Sequence, residues 1–247
     1  MGKIIAIGGG ELKDLDTFSI DEEVIRLTGK KNPKALFIPT ASKDAEGYWE
    51  TFKQVYGNRL GCKTDVLRLV NETPSLKEIK EKIFGSDLIY VGGGNTLEML
   101  EIWRKHGVDE VLKKAYERGI VLSGLSAGAI CWFRYGCSDS PRFANATDAS
   151  FVRINGLGLV NLTMSPHHIR EQHRDNGLTE IMKTTPGVGI GLDDNCALEI
   201  VNGTYRFIGS KAGAGAKRVY YKNYKPVVER MRVNENYFLL DRLVKKQ

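Results

Sequence analysis

Short β-branched runs alternate with longer amphipathic stretches through the first half of the chain, and this alternation constrains the fold more than any other feature. Residues 3–7, 35–39, 65–70, 87–91 and 120–122 have the length and residue types of buried strands. The clearest helical stretch starts at Asn95, an N-cap with Glu98 three residues on, and breaks near Gly107 before continuing through Val111, Leu112 and Ala115. A β-α-β-α order implies a mostly parallel sheet with helices on both faces. After about residue 188 the texture changes. Residues 197–201 and 204–208 flank Asn202-Gly203, a strong hairpin signal, and strand-like pieces at 217–221 and 226–231 follow. The fold expected is therefore a three-layer α/β/α sandwich with a mostly parallel central sheet and antiparallel C-terminal strands. With no repeat or linker in view, residues 1–247 read as a single domain.

Composition removes several function classes. No apolar run approaches the ~18 residues that a spanning helix needs, and no secretory leader is evident, so a soluble chain in the cytoplasm is expected without a membrane partner. Four cysteines without C-x-x-C spacing fit a reducing compartment. The net charge of +6 invites a nucleic-acid reading, but it is concentrated at one end. Residues 211–247 hold ten Lys or Arg against three acids, which leaves −1 for residues 1–210. No nucleic-acid motif accompanies that excess, so no nucleic-acid partner is expected, and the basic end reads as a solvated face.

The sharpest local signal is Gly124-Leu125-Ser126-Ala127-Gly128, a G-x-S-x-G between a strand and the helix-compatible residues 129–133. Strand, tight turn and helix expose a serine hydroxyl beside free amides, where negative charge can develop. Ser126 is the candidate nucleophile. Its base must come from four histidines, three of them in 164–174: His167, His168 and His173. Pro166 restrains the approach to His167, whereas His106 reads as a helix C-terminal residue. The H-H-x4-H spacing matches no familiar zinc site, and neither a metal nor a cofactor is expected. The orienting carboxylate is expected to be Asp139, 13 residues beyond the serine, with Asp148 in reserve and Asp193-Asp194 as a pair that could line the same edge. Glycine clusters follow two strands, at 8–10 and 92–94, and match neither a dinucleotide fingerprint nor a Walker loop. The amides of Gly93, Gly94 and Ala127 are the expected oxyanion hole, while residues 8–10 read equally well as a packing turn.

Gly92-Gly93-Gly94-Asn95-Thr96, Gly124-Leu125-Ser126-Ala127-Gly128-Ala129 and Ser165-Pro166-His167 together resemble the dipeptidase E and cyanophycinase family of serine peptidases over roughly residues 1–200. The resemblance implies a fold akin to class I glutamine amidotransferases, with Ser126 as nucleophile, His167 as base, and the Gly93 and Ala127 amides as oxyanion hole. Arg170-Glu171-Gln172 is similar to the stretch that carries a substrate-binding arginine in aspartyl dipeptidases, although its interval from His167 is shorter here. Arg170 is thus assigned to substrate binding, and Asn95 is a second candidate for that role. The activity expected is hydrolysis of small peptides, aspartyl dipeptides among them, through an acyl-enzyme. An esterase of the α/β-hydrolase type and a non-catalytic binding protein on the same scaffold are the alternatives. The oligomeric state, monomer or homodimer, is open.

Overall fold

The computed structural model describes residues 2–246 apart from 146, 148, 149 and 170–172. The first strands are β1 (Lys3–Ile7), β2 (Lys34–Ile38), β3 (Lys63–Val66), β4 (Leu88–Val91) and β5 (Val121–Leu125). They are followed by β6 (Phe133–Ser138), β7 (Val152–Asn155), β8 (Val160–Ser165) and β9 (Gly189–Leu192). The chain ends with β10 (Cys196–Val201), β11 (Thr204–Gly209), β12 (Gly215–Lys222), β13 (Lys225–Arg232) and β14 (Phe238–Leu239). An eight-stranded sheet runs β14-β11-β10-β1-β5-β4-β2-β3, with β1 to β5 mutually parallel and β10, β11 and β14 added antiparallel.

Helices cover both faces. Those that matter for packing are α1 (Phe18–Thr28), α2 (Glu46–Phe52), α3 (Leu76–Phe84), α4 (Thr96–His106) and α5 (Val108–Glu117). The pleat of β1 divides them. Ile5 and Ile7 pack with Ile20, Val24 and Phe52 from α1 and α2, whereas Ile4 and Ala6 join Met99, Trp103, Val111 and Leu112 from α4 and α5. Such a strand is apolar on both faces because neither meets water, and each fully buried isoleucine stabilises the fold by about 1.5–3 kcal/mol. A Ser75–Glu78 capping box starts α3, and Gly107, at φ 70°, ends α4 and starts α5. Asn202 and Gly203, at φ 50° and 83°, make the type I′ turn that their sequence signals.

The second half departs from the expected arrangement. The short helix α6 (Ala127–Ile130) stops early, and Phe133 opens β6 where residues 129–133 read as helix. β6 belongs to a second, six-stranded sheet, β13-β12-β9-β8-β6-β7, whose inner residues Phe133, Leu162, Met164 and Ile190 share the core with α4 and α5. The later helices are α7 (Pro141–Ala144), α8 (Arg174–Thr184) and α9 (Leu240–Val244). The run 65–70 is strand only as far as Val66. Beyond it the Asp44 carboxylate takes the amides of Leu69, Val70 and Asn71 at 2.9, 2.7 and 3.0 Å, which removes them from any ladder.

The basic C-terminal segment is only partly a solvated face. Arg218 is buried, pairs with Glu229 at 2.5 Å and donates to the carbonyls of Leu243 and Lys245. Arg230 reaches Asp193 at 2.6 Å, and Lys217 pairs with Asp175. Arg218 thus ties the C-terminal strands to the last helix, while Arg230 and Lys217 fasten them to the rest of the chain. Among the described residues no helix is long and apolar enough to cross a membrane.

Candidate active site

Ser126 stands where β5 hands over to α6, at φ 58° and ψ −107°, a conformation that an L-residue adopts only when its surroundings impose it. The flanking glycines impose it by close approach. A Cβ at Gly128 would lie 2.1 Å from the Val91 carbonyl oxygen, and one at Gly124 would lie 2.5 Å from the Gly128 oxygen and 2.7 Å from that of Val91. Only glycine lets the turn sit this tightly on β4. The Ser126 amide donates to the Ile7 carbonyl at 3.1 Å, and the Ser126 carbonyl accepts from Ala129 and Ile130.

Strand register brings the partners in. In the second sheet β8 and β9 are parallel with Ser165 opposite Gly191, so the residues just past each strand end, His167 and Asp194, come out side by side. In the main sheet Ile7 lies opposite Leu125, which sets Gly8 and Gly9 beside Ser126. The His167 amide donates to the Gly8 carbonyl at 3.0 Å and the Asn195 amide to that of Gly9 at 2.9 Å, so the glycine turn after β1 clamps both loops. His167 Nε2 lies 2.9 Å from Ser126 Oγ, and His167 Nδ1 lies 2.8 Å from Asp194 Oδ1. A hydroxyl, an imidazole and a carboxylate thus form one hydrogen-bonded chain, with His167 and Asp194 buried.

Gly9 makes that chain possible. A Cβ there would stand 2.0 Å from Asp194 Oδ1 and 2.4 Å from His167 Nδ1. The packing reading of 8–10 therefore understates this turn, which leaves space for the imidazole–carboxylate contact.

Asp139 is not the partner of His167, and here the sequence expectation is corrected. β6 carries the chain into the second sheet, and at its end Asp139 pairs with the buried Arg174 at 3.0 Å and with Arg142 at 3.8 Å. The carboxylate on His167 is Asp194, one of the pair expected to line this edge. Asp193 turns the other way, accepting from the Gly215 amide at 2.9 Å and from Arg230. Asp148 and Arg170 lie outside the described residues.

Asn95 caps α4. Its Oδ1 accepts from the Glu98 amide at 3.3 Å and its Nδ2 donates to the Glu98 carboxylate at 3.2 Å, so both ends of the side chain serve the helix cap. In the glycine loop, Gly93 lines the cavity at Ser126, whereas Gly94 packs on backbone, where a Cβ would meet the Ala41 oxygen at 2.0 Å. Ala127 opens α6, and its amide has no acceptor within the helix by position.

Two histidines next to each other play different parts. The His168 ring occupies the space above Gly191, with Nε2 2.8 Å from Ser165 Oγ and Nδ1 2.6 Å from Asp175 Oδ1. Burial lowers its basicity against the pull of Asp175, and it is shut away from solvent. His167 instead borders a cavity of about 370 Å³, together with Ser126, Gly93, Leu125, Tyr48, Thr51, Glu11 and Lys13. Tyr48 has no motif around it; a Cβ on Gly92 would stand 2.8 Å from its ring, a contact visible only in the fold. Among the described residues no group of three or more His, Cys, Asp or Glu could hold a metal ion. The four cysteines are buried thiols, with burial pushing Cys62 and Cys196 up to about 12.

An α/β sandwich with this constellation at its strand ends has the architecture of a hydrolase. Comparison with known proteins gives the class directly: residues 4–208 match the model of peptidase family S51. Over 222 residues, 89% of this chain and 92% of the relative, the chain is 32% identical to the uncharacterized peptidase YgaJ of Bacillus subtilis (strain 168). It is 23% identical to peptidase E of Nostoc sp. (strain PCC 7120) over 78% of this chain and 80% of that one. The crystal structure of a peptidase from an acI-B1 Actinobacterium shares the fold, with a TM-score of 0.72 at 20% identity over 97% of each chain. The chain belongs to peptidase family S51 and is a peptidase.

Proposed function

We propose that the chain is a serine-type peptidase that cleaves short peptides through an acyl-enzyme on Ser126. The hydrogen-bonded chain Ser126–His167–Asp194 in the wall of the cavity carries this reading. His167 Nε2 takes the proton as Ser126 Oγ attacks the scissile carbonyl carbon, and Asp194 holds the ring by Nδ1 and offsets its positive charge. The amides of Gly93 and Ala127 receive the oxyanion. His167 then gives its proton to the departing amine as the C–N bond breaks, and water, deprotonated by the same imidazole, releases the acid from Ser126.

A volume of about 370 Å³ suits a dipeptide-sized ligand, and the wall carries both an acid, Glu11, and a base, Lys13, which suits a substrate with two charged ends. The family likeness read in the sequence extends the proposal to peptides with N-terminal aspartate, recognised by the Arg170 guanidinium. The test is a dipeptide panel with a p-nitrophenyl ester alongside, run on wild type and Ser126→Ala. Turnover should favour acidic N-terminal peptides, with kcat lower by about 10⁶ in the variant. A loss below about tenfold rejects Ser126 as nucleophile, and an even profile across the panel rejects aspartate selectivity.

A further inference from the structure

Among the described residues, Tyr48, on α2, is the one phenol in the cavity wall that also holds Ser126 and His167. Its oxygen accepts the Gly93 N–H at 3.4 Å, a long bond on an amide assigned above to the oxyanion. Gly93 in turn abuts the serine, since a Cβ on it would stand 3.3 Å from Ser126 Cβ. The ring is fixed from two sides. Phe37 meets it edge-on at 5.0 Å between centroids, and a Cβ on Gly92 would press on its Cε1 at 2.8 Å.

A neutral oxygen thus lies on the acceptor side of the Gly93 amide, where the substrate's oxygen is to develop its charge. A phenol that accepts through a lone pair keeps its own proton for another acceptor. We propose that Tyr48 is a further catalytic residue, whose hydroxyl donates to the oxyanion alongside the Gly93 and Ala127 amides. When the carbonyl oxygen enters, it takes the weak Gly93 bond and the phenol turns from acceptor to donor. No bond is made or broken in the exchange. Burial pushes the Tyr48 hydroxyl up to about 12, so it keeps its proton across the neutral range. A preorganised donor in a site partly shielded from water typically contributes about 10²–10³ in rate.

The proposal rests on Ser126 being the nucleophile, and the test separates the two. A fluorophosphonate probe places its phosphoryl oxygen in the oxyanion hole as Ser126 Oγ displaces fluoride, so its inactivation rate reports on the donors. Tyr48→Phe keeps the ring, its packing and the shape of the cavity. Its maximal inactivation rate and kcat should fall by about 10²- to 10³-fold, with probe affinity, KM and the thermal midpoint unchanged. Gly92→Ala keeps the hydroxyl but displaces the ring, so it should also slow inactivation, and should add little in a Tyr48→Phe background. A Tyr48→Phe rate within twofold of wild type, or a loss carried wholly by weaker probe affinity, overturns the role of Tyr48 and leaves Ser126 standing. A wild-type chain that takes no adduct overturns both.

Discussion

Replacing Gly9 by alanine adds one carbon at the contact on which the site depends. Gly9 does not occupy the left-handed region, so alanine is free to adopt its backbone, and any effect must come from the added methyl group. That carbon would stand 2.0 Å from Asp194 Oδ1 and 2.4 Å from His167 Nδ1, against contact distances of about 3.5 Å. Relief needs a displacement of about 1 Å or more in both side chains. A His167–Asp194 hydrogen bond of 2.8 Å does not survive such a spread, because donor and acceptor beyond about 3.5 Å no longer bond. Loss of the carboxylate's hold on the imidazole costs about 10⁴ in kcat in serine hydrolases, or about 5.5 kcal/mol of transition-state stabilisation. Overpacking should cost about 1–3 kcal/mol of fold stability. The assay is kcat on the best-cleaved peptide, beside a urea melt of the same preparation. Gly119→Ala is the control: at φ 80° with nothing within 4 Å of a Cβ, it should lose about 1–2 kcal/mol of stability and no kcat. A folded Gly9→Ala enzyme within tenfold of wild type would refute the reasoning.

Two further perturbations probe the electrostatics. Asp194→Asn should lower kcat by about 10³–10⁴, whereas Asp139→Asn should leave kcat in place and lower stability by about 1–3 kcal/mol, because it weakens the partner of buried Arg174; the reverse pattern in kcat and melting would restore Asp139 to the site. Burial holds the Asp21 carboxyl at about 7, against 3.8 ordinarily, although Tyr56 and Thr17 donate to it. A folded-state value above the unfolded one means the folded chain binds this proton more tightly, so the contribution is full below about pH 4 and is lost as pH rises to about 7. Relative to Asp21→Asn, wild type should therefore lose up to about 4 kcal/mol of stability between pH 4 and 8. A stability gap that does not change with pH contradicts the buried-carboxyl account.

The centre of the main sheet was legible because β1, β2, β4 and β5 are apolar on both faces, and because turn residues such as Asn202-Gly203 and Gly107 act locally. The end of β3 was not legible, since the Asp44 carboxylate that takes the Leu69 to Asn71 amides is remote in sequence. β6 escaped for a related reason: residues 129–133 suit a short helix, and only the second sheet makes Phe133 a strand residue. At the site, Ser126 and His167 were carried by motifs. The carboxylate was not, because proximity in sequence favoured Asp139 while the β8–β9 register, a long-range property, selects Asp194. The same blindness to register hid the reason for Gly9.

The central claim is that Ser126 forms the covalent intermediate, and mapping the site of adduct formation tests it most directly. The chain is treated with a fluorophosphonate, digested and read by mass spectrometry, with peptide turnover followed in parallel. The account predicts one adduct per chain, on Ser126, forming at the rate at which turnover is lost and absent from Ser126→Ala. An adduct on another residue, or peptide hydrolysis that continues once Ser126 is fully modified, would contradict it.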